Sequence, residues 1–193
     1  DKLKKNDIKF ISNSKKNLNL EKKSSIARLK KIINPEDKIV FISSVAPVKD
    51  VGMLLRNIKI LSNVNQALKE KLFRQLIYIS SDAVFKDDAK IIKETTEKTP
   101  LSLHGNMHLL RENVLQSYFR KKLCIIRPTL IYGKKDPHNG YGPNKFLRKI
   151  DKNENIELFG RGEERRDHIH IDVVVEVILL CLRRNFLGDL NVA

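Results

Sequence analysis

The sequence of 193 residues lacks the features that mark membrane-spanning, secreted or linker-rich proteins. No apolar run approaches the roughly 18 residues that a membrane-spanning helix needs, and the polar, lysine-rich N-terminal stretch is unlike a secretory signal. There is no internal repeat, no low-complexity segment and no linker rich in proline, glycine and serine. These absences favour one globular domain, or one domain with a small lobe, and they give no reason to expect a membrane partner.

Cysteine is also scarce. The two cysteines, Cys124 and Cys181, both lie inside apolar segments. Such placement is typical of buried thiols that pack like small hydrophobic residues, and thiols stay reduced in the cytosol. We therefore expect two structural thiols in a cytoplasmic protein.

Negative charge is in deficit, because 38 lysines and arginines face 23 acidic residues and the formal net charge is +15. Such an excess permits binding to nucleic acid or to anionic substrates. The lysines are dispersed along the chain, however, and a compositionally biased proteome produces the same pattern. A dedicated nucleic-acid partner is therefore not favoured, although RNA binding on a basic surface stays open as an alternative function.

What the sequence does contain is an alternation of apolar runs and helical periodicities at the spacing of βαβ units. Continuous β-branched runs predict strands buried on both faces, as in a parallel sheet. The predicted strands lie within residues 7–13, 38–47, 74–85, 121–133 and 189–193, with Pro128 breaking the fourth. The predicted helices lie within residues 19–34, 51–72, 100–119 and 173–184. This order indicates an α/β fold with a doubly wound sheet.

Polar groups cluster where three of these strands end. The three stretches are SSVAP at 43–47, SSDAVF at 80–85 and RPTLIYG at 127–133. In open α/β sheets ligands bind outside the carboxyl ends of the strands. Consecutive hydroxyls at those ends therefore indicate a cleft rather than a packed core.

From Ile39 to Ala193 the pattern resembles the extended short-chain dehydrogenase/reductase family, the NAD-dependent epimerase/dehydratase group that acts on nucleotide-sugars. Six motifs carry the resemblance in the family's order: VFISSVAP, NIKILSNVNQAL, YISSDAVF, IIRPTLIYG, GYGPNKF and GRGEERRDHIHID. The resemblance implies a Rossmann-like, doubly wound parallel sheet with part of a small C-terminal substrate lobe. Residues 1–133 would form a truncated dinucleotide-binding region. Residues 134–193 would form the partial lobe, interleaved with the last elements of the sheet.

The resemblance also implies partners and site residues. The cofactor would be NAD or NADP, the substrate a nucleotide-sugar, and the assembly a homodimer. Expected cofactor contacts are Ser43, Val45, Ser80, His108 and Pro128. Expected substrate contacts are Ser81, Asn144, Lys145 and Arg166, the last as a guanidinium that forks onto phosphate. Expected catalytic residues are Ser81, Asp82, His104 and His108, with no metal ion.

One departure from the family is the absence of its opening strand and Gly-rich turn. That turn lets backbone N–H groups at a helix N-terminus bind the pyrophosphate, whereas this sequence has eight glycines and no G-x-x-G-x-x-G. Since the chain starts on Asp1 and ends on an apolar run, we expect a fragment of a longer protein. We also expect weak dinucleotide binding, and a sheet with a gap or a rearranged pairing.

The second departure lies in the family's Y-G-x-x-K-x-x-x-E stretch, which here reads HGNMHLLRE. His104 replaces the tyrosine and His108 the lysine, while Gly105 and Glu112 keep the register. In the family the tyrosine is the general acid/base and the lysine lowers its pKa and binds the nicotinamide ribose. Histidine, with an unperturbed pKa near 6.5, needs no neighbouring cation to exchange protons near neutral pH. The alternatives are a histidine acid/base with His108 binding ribose, a degenerate site, and a metal half-site.

Overall fold

The computed structural model describes residues 8–86, 91–134, 142–158, 160–163 and 165–193. Six strands and five helices are assigned in these ranges. The helices are α1 (Ser24–Ile32), α2 (Val51–Lys69), α3 (Leu103–Phe119), α4 (Gly142–Asp151) and α5 (Ile171–Arg184). The strands are β1 (Lys38–Phe41), β2 (Gln75–Ile79), β3 (Leu123–Pro128), β4 (Leu130–Tyr132), β5 (His168–His170) and β6 (Gly188–Val192).

Four strands form a parallel sheet in the order β1-β2-β3-β6. The register pairs Val40 with Ile77 and Ile77 with Cys124, and β6 continues the sheet from Cys124 opposite Gly188. Parallel pairing brings the carboxyl ends of all four strands to one edge, so the polar stretches that follow β1, β2 and β3 meet there.

One face of the sheet packs against α1, α2 and α3. Because side chains alternate along a strand, Leu76 and Tyr78 of β2 and Leu123 and Ile125 of β3 all point to this face. They pack with apolar residues of the three helices, including Leu115 of α3, in the larger core cluster. This packing fixes α3 along the sheet with its N-terminus near the carboxyl edge.

The opposite face packs against α5. Ile77, Cys124 and Ile126 of the sheet form a second core cluster with Cys181 of this helix. Both cysteines are buried and free, which confirms the prediction of structural thiols. Helices on both faces of a parallel sheet confirm the doubly wound α/β class.

Two expectations are corrected. Residues 8–13 form no strand, because the pairing partners of a short strand are missing there and β1 pairs only with β2 in the described ranges; Asp7 lies outside them. The sheet also has no gap and no rearranged pairing, since its four strands are hydrogen-bonded in sequence order. The family's opening strand would add beyond β1 rather than between strands that are present.

A second, two-stranded parallel sheet of β4 and β5 lies with α4 in the region assigned to the substrate lobe. β3 ends at Pro128 and β4 begins two residues later, as the proline break predicts. Within the described ranges, no helix combines the length and the apolar character needed to cross a membrane.

Candidate active site

The N-terminus of α3 is fixed against the turn that follows β2. Ser102 caps the helix, its hydroxyl accepting the Gly105 N–H at 3.0 Å. A Cβ at Gly105 would come within 2.0 Å of the Ala83 carbonyl oxygen and 2.7 Å of the Pro100 Cβ. Only glycine allows this approach. The contact brings the helix that carries both histidines against the turn formed by residues 82–84.

His104 and His108 lie one turn apart on the same face of α3. Their rings meet edge to face, with centroids 4.7 Å apart and planes at 89°. His104 is half-buried, and its Nδ1 lies 3.5 Å from the Val48 N–H, which is long for a hydrogen bond and orients the ring only weakly. His108 is 5% exposed. His104 is therefore the imidazole that a substrate can approach.

His108 is bound from below by the sheet. Its Nδ1 lies 2.7 Å from the Tyr78 hydroxyl oxygen, in a buried contact between α3 and β2. Burial raises the pKa of Tyr78, so the phenol keeps its proton. This contact leaves Nε2 as the only ring nitrogen of His108 available to a ribose hydroxyl.

Both imidazoles are neutral at physiological pH. Burial, and then the positive charge of Arg111, lower the pKa of His104. Burial, followed by the nearby His104 and Arg111, lowers the pKa of His108 to about 3. A neutral pair fits the expectation that two adjacent imidazoles do not both carry charge.

Arg111 fixes the loop that follows β1. Its guanidinium donates to the Ser43 carbonyl at 2.8 Å, and to the side-chain oxygen of Asn57 at 2.7 Å and its carbonyl at 3.2 Å. Asn57 in turn accepts the Val45 N–H at 3.0 Å and donates to the Val45 carbonyl at 2.9 Å. Ser43 and Val45, two predicted cofactor contacts, are thus held by their backbones.

Ser80 belongs to a buried ion network. Its hydroxyl donates to Glu112 at 2.6 Å, and Arg127 donates to both oxygens of the same carboxylate at 2.8 Å. Arg127 also donates to Asp189 of β6 at 2.5 Å. Ser80 is 5% exposed. The structure therefore gives Ser80 a partner inside the protein, and cofactor contact by this residue stays a prediction.

Ser81 starts the turn of residues 82–84. Its hydroxyl accepts the Ala83 N–H at 3.1 Å and donates to Asp82 Oδ1 at 3.1 Å. Both side chains are half-buried rather than enclosed. Ser81 and Asp82 therefore lie at the carboxyl edge of β2, beside the N-terminus of α3, where the sequence predicts catalytic and substrate contacts.

An open cleft of about 330 Å³ lies at the carboxyl end of β1. It is lined by Ser43 and Val45, and by Lys15, Glu21 and Arg56 from outside the loop. Arg56 forks onto Glu21 at 2.9 and 3.0 Å, so its guanidinium already has an anionic partner. The side chains of Arg56 and Lys15 lower the pKa of Glu21 to about 2.

The remaining predicted residues lie elsewhere. Pro128 is buried at the end of β3. Asn144 is buried and Lys145 half-buried in the first turn of α4, whereas Arg166 is exposed in the segment before β5. A Cβ at Gly142, the first residue of α4, would lie 2.7 Å from His168 Nε2, so the start of α4 packs against β5. Asn144, Lys145 and Arg166 thus belong to one patch in the predicted substrate lobe.

The sequence reading missed Tyr78 and Arg111 as members of the site. A signal was present for Arg111, because positions 104, 108, 111 and 115 repeat at helical spacing and so share the buried stripe of α3. For Tyr78, the alternation of β2 gives its face but not the residue it meets. A third metal ligand beside the two histidines was not expected, and no group of three His, Cys, Asp or Glu side chains suited to a metal ion occurs in the described ranges.

A sequence profile defines the class: that of the NAD dependent epimerase/dehydratase family matches residues 12–193. The chain belongs to this family.

Among curated relatives, the dTDP-4-dehydro-6-deoxy-D-allose reductase of Streptomyces bikiniensis is 32% identical over 81 residues, which cover 39% of this chain and 24% of the reductase. The dTDP-D-glucose 4,6-dehydratase of Dictyostelium discoideum is 26% identical over 139 residues, which cover 64% of this chain and 32% of the dehydratase. The matches thus span about a quarter to a third of these relatives.

Solved structures share the fold. The UDP-glucose 4-epimerase of Thermotoga maritima, in a complex with UDP-glucose, superposes with a TM-score of 0.79 at 22% identity, over 94% of this chain and 67% of the epimerase. These values confirm the Rossmann-like α/β fold and a chain shorter than the complete enzyme.

The described residues fit part of a dinucleotide. The cleft beside Ser43 and Val45 offers hydroxyls and an anchored backbone at the sheet edge where such folds bind nucleotides. The sequence does not supply the Gly-rich turn that would bind the pyrophosphate. This chain's residues thus suit the nucleoside and nicotinamide sides of the family's cofactor.

Proposed function

We propose that this chain carries the catalytic helix and part of the substrate lobe of an NAD(P)-dependent enzyme that epimerises, reduces or dehydrates a nucleotide-sugar in the cytoplasm. The observation that supports this most is the neutral pair of His104 and His108 at the N-terminus of α3, beside the turn that holds Ser81 and Asp82. When bound, the nicotinamide would accept or return the hydride of a sugar carbon.

His104 is the acid/base group in this proposal. A neutral imidazole accepts the proton of the sugar hydroxyl as that carbon is oxidised, and returns it when the carbonyl is reduced. The charge of Arg111 disfavours a stable imidazolium, so the proton is held at His104 only briefly. His108, through its free Nε2, would hydrogen-bond a ribose hydroxyl.

Ser81 would orient the reacting hydroxyl, with Asp82 beside it at the end of β2. Asn144, Lys145 and Arg166 would bind the diphosphate from the lobe. Ser43, Val45 and Pro128 would line the cofactor from the ends of β1 and β3, and a homodimer would form through α2 and α3, as the family resemblance implies.

The test is turnover by the protein expressed from its whole reading frame, with UDP- and dTDP-sugars and NAD or NADP. Removing a general acid/base typically costs about 10²–10⁴ in kcat, so His104→Gln should lower kcat by that range. His170→Gln serves as the matched control, because His170 caps α5 outside the pair. Unchanged turnover in His104→Gln would remove His104 from the mechanism.

A further inference from the structure

We propose that Arg111 is a positioning residue for the histidine pair: its guanidinium directs the hydrogen bond of Tyr78 and so sets the tautomer of His108, and it is the fixed positive charge beside His104. This inference deepens the proposed function and rests on it for its catalytic meaning. Its physical content concerns protonation in the free protein and is measurable without turnover.

The placement of Arg111 supports a role at the pair rather than at the surface. Arg111 is 1% exposed and follows His108 by three residues, on the same buried stripe of α3. Its hydrogen-bond acceptors are the carbonyls of Ser43 and Asn57 and the side-chain oxygen of Asn57, all of them neutral. The Phe41 ring lies beneath the guanidinium, 5.3 Å from its central carbon.

The charge of Arg111 is not neutralised by a carboxylate. In the ranges that the structure describes, no acidic side chain lies within ion-pair distance of it, and the adjacent Glu112 is bound by Arg127 and Ser80. A buried guanidinium that meets only neutral acceptors keeps its full field. The nearest titratable groups, His104 and His108, therefore experience that field.

The hydrogen-bond direction at Tyr78 follows from donor chemistry. A guanidinium only donates, so in its contact with Arg111 the Tyr78 oxygen is the acceptor. The phenol proton is then free to point at Nδ1 of His108, 2.7 Å away. A ring that accepts at Nδ1 carries its proton on Nε2, and Arg111 thereby selects the tautomer that faces a ligand as a donor.

Other charged or titratable groups lie around the pair. β2 contributes Tyr78 and the following turn Asp82. The loop before α2 contributes Lys49 and Asp50, and the Asp50 carboxylate caps α2 through the Met53 N–H at 2.8 Å. α3 itself contributes Glu112, already paired with Arg127. These groups leave Arg111 as the buried cation closest to both rings on their own helix.

The test is a ¹⁵N and ¹³C NMR titration of the histidines in the full chain without ligand, for wild type, Arg111→Met and Arg111→Lys. Arg74→Met is the matched control, because Arg74 precedes β2 at the opposite end of the sheet and is exposed. We expect the His104 midpoint to rise in Arg111→Met and to stay at the wild-type value in Arg111→Lys and Arg74→Met. We expect His108 to be the Nε2–H tautomer in wild type and a tautomer mixture in Arg111→Met.

Unchanged His104 and His108 signals in a folded Arg111→Met protein would overturn the proposal. If that variant does not fold, Tyr78→Phe decides it, since loss of the phenol should release the His108 tautomer while the charge beside His104 remains. A fixed tautomer in Tyr78→Phe would equally overturn it. Because no substrate is used, a protein that shows these shifts but turns over no nucleotide-sugar would contradict the proposed function alone.

Discussion

The Tyr78 hydroxyl lies 2.7 Å from Nδ1 of His108, and this contact joins the second strand of the sheet to the helix that carries both histidines. The tyrosine is fully buried and the histidine nearly so. A buried polar pair of this kind stabilises the protein only while both partners keep the protonation state that the bond requires. The helix position is thereby coupled to pH.

Stability should fall in acid because of His108. Its pKa is about 3 in the folded protein, against 6.5 for an unperturbed histidine. Between these values the unfolded chain binds the proton and the folded chain does not, so stability is fully present above about pH 6.5 and is lost as the pH falls toward 3. One such group gives a slope of about 1.4 kcal/mol per pH unit.

Urea unfolding of wild type and His108→Gln at several pH values measures this slope. Glutamine can accept the Tyr78 hydrogen bond but does not titrate, so the variant should lose less stability than wild type between neutral pH and pH 4. Parallel pH dependence in the two proteins would show that His108 is protonated with an ordinary pKa in the folded state.

Gly105→Ala should separate α3 from the turn after β2. The added Cβ would meet the Ala83 carbonyl oxygen at 2.0 Å, a backbone atom that cannot rotate away. Overpacking of this kind typically costs about 1–3 kcal/mol, and we expect a loss in that range together with weaker substrate binding at Ser81. Thermal unfolding checks the loss.

Gly52→Ala is the control for this helix glycine. Its Cβ would meet only the Asp50 side-chain oxygen, at 3.1 Å, which is movable. Because alanine is the better helix former by about 1 kcal/mol, Gly52→Ala should be neutral or stabilising. Equal losses in both variants would mean that Gly105 matters through helix propensity rather than through contact with Ala83.

The Glu112 carboxylate should be among the most costly side chains to remove. Glu112→Ala leaves Arg127 with a single carboxylate, Asp189, and leaves the Ser80 hydroxyl without its acceptor. Breaking a buried ion pair from one side costs about 3–5 kcal/mol. Glu36→Ala, which removes the exposed partner of Arg74, should cost less than about 1 kcal/mol. Comparable losses in a denaturant series would contradict a special role for the buried network.

The sequence predicts the sheet and its helices because periodicity is a local property. Residues 51–69 and 103–119 are helical as their apolar spacing predicts, and β2 and β3 are the buried strands. The strand predicted at residues 7–13 is wrong for a non-local reason. A short apolar run becomes a strand only when another strand is available to pair with it.

The site could be predicted less well than the fold. The Y-G-x-x-K register places His104 and His108, but residue type alone does not show that Ser80 and Ser81 point in different directions. Side chains alternate along a strand, so Ser80 follows Tyr78 toward α3 while Ser81 begins the turn. The partner of Ser80, Glu112, is 32 residues away and is reached only through the packing of α3 on the sheet.

The two serines should therefore separate stability from function. Ser80→Ala leaves Glu112 with one fewer buried donor, and a buried group that loses its hydrogen bond costs about 1–3 kcal/mol. Ser81→Ala removes only the hydroxyl that accepts the Ala83 N–H, comparable to a cap worth about 1 kcal/mol. In turnover assays on the whole protein, Ser81→Ala should lower kcat/KM, whereas Ser80→Ala should lower the unfolding midpoint and leave kcat/KM near wild type at temperatures where it is folded. The reverse result would place the substrate against Ser80 and require the buried end of β2 to open when ligand binds.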